Sequence, residues 1–197
     1  MSKSSRLNKQ IKFLVEADKL KSVLRRNYVM HEDRRENSAE HSWHVALIAI
    51  VLAEHSNDSI DVDRVAKMLI IHDIVEVDAG DTFIYDASAN KTKAEREEKA
   101  AKRLFGLLPE DQGKLFRELW EEFEARSTVE AKFANAVDRF VAVLHNYETR
   151  GRGWQEHGIK RHQVLALNEQ VKIGSATIWE EIQKLVNAAT QEGILGS

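Results

Sequence analysis

The sequence predicts an all-α protein, a helical bundle formed as a single domain over residues 1–197. Three observations lead there. Apolar residues recur at three- and four-residue steps through most of the chain. The 197 residues include one proline and are 43% hydrophobic and 31% charged, a balance usual for helical proteins. Capping patterns stand at the heads of several candidate helices, and no stretch reads confidently as a strand. The length is enough to bury one core without staples.

The first helix is predicted over about residues 7–24, where Ile11, Leu14, Val15 and Leu20 share a face. Residues 25–37 read as a polar, charged connector. Ser38 is the expected N-cap of a second helix that is apolar nearly all round through Leu52 and therefore central. His41, Val45, Ile48 and Leu52 lie on one stripe of it, so His41 points along a packed face. Asn57-Asp58-Ser59 breaks the chain, and Asp61 can cap a third helix over residues 62–77.

Asp78-Ala79-Gly80-Asp81 ends that helix and opens a loop to about Lys91 that holds Thr82, Phe83, Tyr85 and Asp86. Thr92 with Glu95 forms a capping-box pattern for a fourth helix to about Leu107. Pro109 suits the first turn of a fifth, ending near Arg126. Ser127 with Glu130 repeats the pattern for a sixth, whose core face is Phe133, Val137, Phe140, Val141 and Leu144. Gly151-Arg152-Gly153 breaks the chain again, one helix is expected before Gly174, and residues 175–188 read as a terminal amphipathic helix. The core of the domain is expected over about residues 7–150, with 151–197 as a helical extension.

Composition removes several classes of function. The absence of cysteine excludes a disulfide framework, thiolate-held zinc and a cysteine nucleophile. A formal charge of −3 weighs against a nucleic-acid polymer as partner. No apolar run approaches a bilayer span and the N-terminus lacks an apolar leader, so no membrane partner and a cytoplasmic location are expected.

The informative stretch is Met68-Leu69-Ile70-Ile71-His72-Asp73-Ile74-Val75-Glu76-Val77, which sets an imidazole and two carboxylates in an apolar run. A buried carboxylate is normally paired or bound to a metal. Glu76 follows His72 by four residues and Asp73 by three, so on a helix the three project to one side. With His41 and with Asp138 from the sixth helix they give two imidazoles and two aspartates, a nitrogen and oxygen set suited to one divalent ion such as Mn, Fe, Co, Ni or Zn, or Mg. A His-Asp pair by itself is weak; the His on the preceding apolar helix and the Asp on a later one raise it. His44 reads as a partner of Glu40, His145 as a supporting or packing residue, and Glu95 to Lys99 as a solvated helix face. Trp120, Trp154 and Trp179 read as core or interface aromatics.

The order His41, His72-Asp73, Asp138 resembles that of the HD-domain metal-dependent phosphohydrolases. Arg34-Arg35-Glu36-Asn37-Ser38-Ala39-Glu40-His41-Ser42, Ile71-His72-Asp73-Ile74-Val75-Glu76 and Gly80-Asp81 look like the branch holding the bacterial and eukaryotic 5′-deoxynucleotidases. Leu107-Leu108-Pro109-Glu110, Leu119-Trp120-Glu121-Glu122 and Ala131-Lys132-Phe133 are similar to the eukaryotic members. The resemblance covers about residues 7–150 and implies an HD-domain fold and hydrolysis of nucleoside 5′-monophosphates by metal-activated water.

It assigns His41, His72, Asp73 and Asp138 to the metal, and Glu76 and Asp81 to positioning or activating water. The family's phosphate-binding arginine falls on Arg25, with Arg26 adjacent, and Tyr28 stands where the family has Trp. Thr82-Phe83-Ile84 replaces the bacterial Leu-Pro-Thr run. No His occurs between Asp73 and Asp138, where the two-metal members of the family recruit further His ligands, which favours a single ion. A homodimer is the expected assembly. Hydrolysis of a nucleoside triphosphate or cyclic nucleotide, and a non-catalytic nucleotide-binding module, are the alternatives.

Overall fold

The computed structural model describes residues 3–197, and the side chains from Ser5 onward except Ala87. Helix α1 (Lys3–Ala17) leads through a 3-10 turn to strands β1 (Leu24–Tyr28) and β2 (Arg35–Asn37). Then come α2 (Ser38–Val51), α3 (Val62–Ile71), a 3-10 turn at His72–Val75, and α4 (Glu76–Ala79). Long helices α5 (Ala87–Phe105), α6 (Glu110–Ala125) and α7 (Val129–Glu148) follow, then short α8 (Arg152–Glu156), α9 (Arg161–Asn168) and α10 (Val171–Gly174), and terminal α11 (Ala176–Gln191).

Helix α7 is the axis. Its Ala131, Phe133, Ala134, Val137 and Val141 are wholly buried, and α2, α3, α6, α10 and α11 all pack on it. Trp154, Ile159, Val164, Ile182 and Leu195 join the same apolar cluster as Val45 of α2 and Met68 of α3, so residues beyond 150 contribute to the core around α7. A second cluster unites Phe13, Leu20, Ile74, Val75, Leu104, Leu119 and Trp120. Close approach of α10 to α7 depends on Gly174, where a Cβ would stand 2.2 Å from the Lys132 carbonyl oxygen.

Several local expectations are corrected. Residues 25–37 are not merely a connector, because β1 and β2 pair antiparallel, Leu24 opposite Asn37 and Tyr28 opposite Arg35. The strands are short and rich in arginine, so no apolar alternation reveals them. The hairpin is held by backbone bonds and by the Arg152 and Arg35 guanidinium groups, 3.7 and 4.7 Å from the Tyr28 ring centre. Strand alternation turns Arg25 inward and leaves Arg26 exposed.

Asn37, not Ser38, caps α2: its side chain accepts from the Ala39 and Glu40 N–H groups, and Glu40 accepts from the Asn37 N–H at 2.7 Å. Asp86 rather than Thr92 caps α5, and Thr128 rather than Ser127 caps α7. Asp61 caps α3 as expected, accepting from the Arg64 N–H at 3.0 Å. Three short helices, not one, occupy residues 152–174.

The predicted helix over residues 62–77 is split after Ile71. The His72 ring bonds back to the Leu69 carbonyl at 2.7 Å, and the backbone tightens into a 3-10 turn before α4. Gly80 then reverses the chain at φ 72°, a conformation that favours glycine.

Candidate metal centre and active site

The 3-10 turn places His72 and Asp73 side by side at the end of α3, facing His41 from α2 and Asp138 from α7. Three of these residues, His41, His72 and Asp73, are buried and offer donor atoms within 4.8 Å of one another. Asp138 closes the set: its Oδ1 lies 2.9 Å from His41 Nε2 and 3.9 Å from His72 Nε2. Asp73 Oδ1 lies 3.1 Å from His72 Nε2, and its Oδ2 lies 3.9 Å from His41 Nε2. Donors held about 2.0–2.2 Å from one ion stand roughly 3–3.5 Å apart, so the spacing fits a single cation.

The ring orientations fit it as well. His72 Nδ1 faces the Leu69 carbonyl, which fixes the proton there and leaves the Nε2 lone pair turned into the cluster. That Nε2 is buried and has no hydrogen-bond partner, as a metal donor requires. His41 presents Nε2 to Asp138 and Nδ1 to Glu36 Oε2, 3.3 Å away. Glu36 is 2% exposed, and its Oε2 also lies 3.6 Å from Arg25 Nε. One buried carboxylate thus backs both a donor imidazole and the arginine.

The charges follow from this crowding. Burial pushes Asp73 up to about 6 against the pull of Arg25 and His41. Burial opposes ionisation of Asp138, but its bond to His41 prevails and holds it well below the usual carboxylate range. Burial and Arg25 act to lower His41, whereas Asp138 and Glu36 hold it up at about 9. Burial takes His72 down to about 4. The arrangement thus favours a proton on His41 among the carboxylates, which a cation held through Nε2 would have to displace.

Around this core stand the remaining predicted residues. Arg25 donates to Asp73 Oδ2 at 2.7 Å and lies 3.9 Å from Asp81 Oδ1. Burial disfavours its charge, but Asp73, Glu76, Asp81 and Asp138 hold the guanidinium firmly ionised. Glu76, 5% exposed, accepts the Ser38 hydroxyl at 2.6 Å. Burial, then Asp73, pushes it up to about 8. Arg25, His72, Asp73, Glu76, Asp81 and Asp138 all border one cavity of about 360 Å³, within the range of small-molecule sites. Phe83, Tyr85, Trp154 and Arg139 also line it.

Sequence reasoning missed four contributors. Glu36 sits inside the quoted Arg34–Ser42 motif and could have been flagged by it. Ser38, read as a cap, spends its hydroxyl on Glu76 instead. Lys93 and Glu97, 3.5 Å apart, line the cavity, and Glu97 is 5% exposed, so that part of α5 is not the solvated face its charge pattern suggests. Burial pushes Glu97 up to about 7. His44 does not pair with Glu40, which instead meets Arg34 at 2.7 Å. His44 faces His145.

Comparison with known proteins points the same way. Residues 17–179 match the family model described as HD domain. A crystal structure from Magnetospirillum magnetotacticum MS-1, described as a "predicted metal-dependent phosphohydrolase", is 49% identical with a TM-score of 0.94, covering 98% of this chain and 97% of that one. The 5′-deoxynucleotidase HDDC2 of Homo sapiens is 34% identical over 139 residues, 70% of this chain and 67% of the relative. The 5′-deoxynucleotidase YfbR of Escherichia coli O127:H6 is 29% identical over 169 residues, 82% of this chain and 84% of the relative.

Proposed function

The chain belongs to the HD-domain family, and from that premise we propose that it is a metal-dependent 5′-nucleotidase, removing phosphate from (deoxy)ribonucleoside 5′-monophosphates. The observation that carries this reading is the grouping of His41, His72 and Asp73 within 4.8 Å, with Asp138 against both imidazoles and Arg25 and Glu76 beside them at a cavity of about 360 Å³. The two named 5′-deoxynucleotidases among its relatives support the substrate class.

His41, His72, Asp73 and Asp138 are the proposed ligands of one divalent ion, of the Co, Mn, Zn, Fe, Ni or Mg class. When bound, such an ion lowers the pKa of a coordinated water and neutralises phosphate charge. Arg25 releases Asp73 to the ion and turns its guanidinium to the phosphate oxygens, for which its planar donors are suited. Asp81 orients the attacking water. Glu76 takes the proton that the water loses as its oxygen bonds to phosphorus, and returns it to the 5′ oxygen as the P–O bond breaks. Ser38 holds the Glu76 carboxyl in place through that exchange. Phe83, Tyr85 and Trp154 offer apolar surface to the nucleoside, and Arg26, which borders the cavity but is more exposed than Arg25, is not the main phosphate partner.

A cytoplasmic site of action is part of the proposal, supported by the lack of cysteine and by the absence, among the described residues, of a helix long and apolar enough to cross a membrane. A homodimer is supported by the exposed apolar stripes Leu7, Ile11, Leu14 and Val15 on α1 and Trp43, Leu47, Ile50 and Val51 on α2. A polymeric nucleic acid is not the partner, since the net charge is negative. The test is phosphate release from 5′-monophosphates, triphosphates and cyclic nucleotides after metal removal and re-addition. Monophosphates should be the preferred substrates. Preference for a triphosphate or cyclic ester would replace the substrate class, and binding without release under any metal would make the chain a nucleotide-binding module.

A further inference from the structure

Two histidines, His44 and the buried His145, take no part in the catalytic cavity, and Glu36, whose Oε2 backs His41, turns its other oxygen to His145. Glu36 of β2, His44 of α2 and His145 of α7 converge on the far side of His41, and none of the three lines the cavity. His145 Nδ1 is 3.7 Å from Glu36 Oε1, and His145 Nε2 is 3.3 Å from His44 Nδ1. One donor atom from each residue lies within 4.8 Å of the other two.

Packing alone does not explain the group. A bond between the two imidazoles accounts for one nitrogen of each ring. It leaves His145 Nδ1, in a side chain only 3% exposed, facing a carboxylate with no hydrogen-bond partner. Burying a polar atom unbonded is unfavourable, so a favourable arrangement supplies something between them. Burial also draws both His44 and His145 below the ordinary histidine value, which favours the uncharged rings that a cation requires. His44 is half-buried, giving an ion a route from solvent and room for water in the remaining coordination positions.

We propose that Glu36, His44 and His145 form a second cation site, distinct from the catalytic centre, for a borderline divalent ion such as Zn²⁺, Co²⁺ or Ni²⁺. Two imidazoles and one carboxylate favour that class over Mg²⁺ or Ca²⁺, which prefer oxygen alone. Glu36 stands between the centres, one oxygen toward His145 and the other toward His41 and Arg25.

The test is a Co²⁺ titration of chelator-stripped protein, read by calorimetry and by visible absorption of the bound ion. Wild type should take up two ions per chain. His44→Ala and His44→Gln, changes at a half-exposed side chain away from the cavity, should each take up one, with the first binding step unaltered; far-ultraviolet circular dichroism checks that both variants keep the fold. His72→Ala should lose the first step and keep the second. Because stoichiometry is read, not turnover, the outcome is independent of the substrate assignment. One ion per chain in wild type, or a second ion that survives both His44 substitutions, overturns the proposal.

Discussion

Replacing Glu76 by Gln separates the proposed proton carrier from the proposed metal ligands. The amide oxygen can still accept the Ser38 hydroxyl, which sits 2.6 Å from the native carboxylate, so position is preserved while the exchangeable proton is lost. Burial, then Asp73 and Asp81, raise Glu76 to about 8, so near neutral pH the carboxyl is already largely uncharged and the Gln amide should cost the fold little. Glu76 is outside the donor set of His41, His72 and Asp73, and the catalytic ion should remain bound. A positioned acid or base contributes about 10²–10⁴-fold, or roughly 3–5 kcal/mol of barrier. Turnover of a 5′-monophosphate should therefore fall by that factor with KM little changed, measured with metal content on the same sample. Wild-type turnover, or a loss of turnover that tracks lost metal, would refute the assignment.

Other consequences follow from the same geometry. Arg25→Ala should raise KM for the nucleotide at least tenfold, an effect Arg26→Ala should not share, because Arg25 lies against Asp73 whereas Arg26, though it borders the cavity, is exposed; steady-state kinetics of the two variants decides it. Ion affinity should depend on pH in a definite direction. In the ion-free protein His41 keeps a proton up to about 9, which binding must expel, so affinity should rise about tenfold per pH unit from pH 7 toward 9 and then level. Below about pH 6 a proton on Asp73 should steepen the loss; competition titrations at several pH values would show a flat response if His41 is not a ligand. Gly174→Ala should destabilise the fold by roughly 1–3 kcal/mol, because the added carbon would meet the Lys132 carbonyl 2.2 Å away; an unchanged denaturation midpoint would show that α10 and α7 can separate freely.

Much of this was legible before any coordinates, and particular residues show why. The apolar period of the segment containing His41 and of the one containing Phe133 and Val137 located the helices that carry His41 and Asp138. The charges of His72, Asp73 and Glu76 inside an apolar run marked the third. The break after Ile71 was not legible, since a 3-10 turn preserves the same residues on nearly the same side. Strand β1 was hidden by its composition, as Leu24-Arg25-Arg26-Asn27-Tyr28 has no apolar alternation. Glu97 looked solvated because its neighbours are charged, yet its burial is decided by where α5 crosses the cavity, which is a tertiary fact. The caps moved because Asn37, Asp86 and Thr128 each stand near another residue of equal capping ability. Ser38, displaced from capping, was then free to bond Glu76.

The central claim is that one ion held by His41, His72, Asp73 and Asp138 is required for hydrolysis. The most direct measurement follows phosphate release from a deoxynucleoside 5′-monophosphate as stripped protein is titrated with Co²⁺. Release should be absent at zero ion, rise in proportion to occupancy of the first site, and stay absent at that occupancy in His72→Ala. Phosphate release by fully stripped protein, or undiminished release by His72→Ala, would contradict the account.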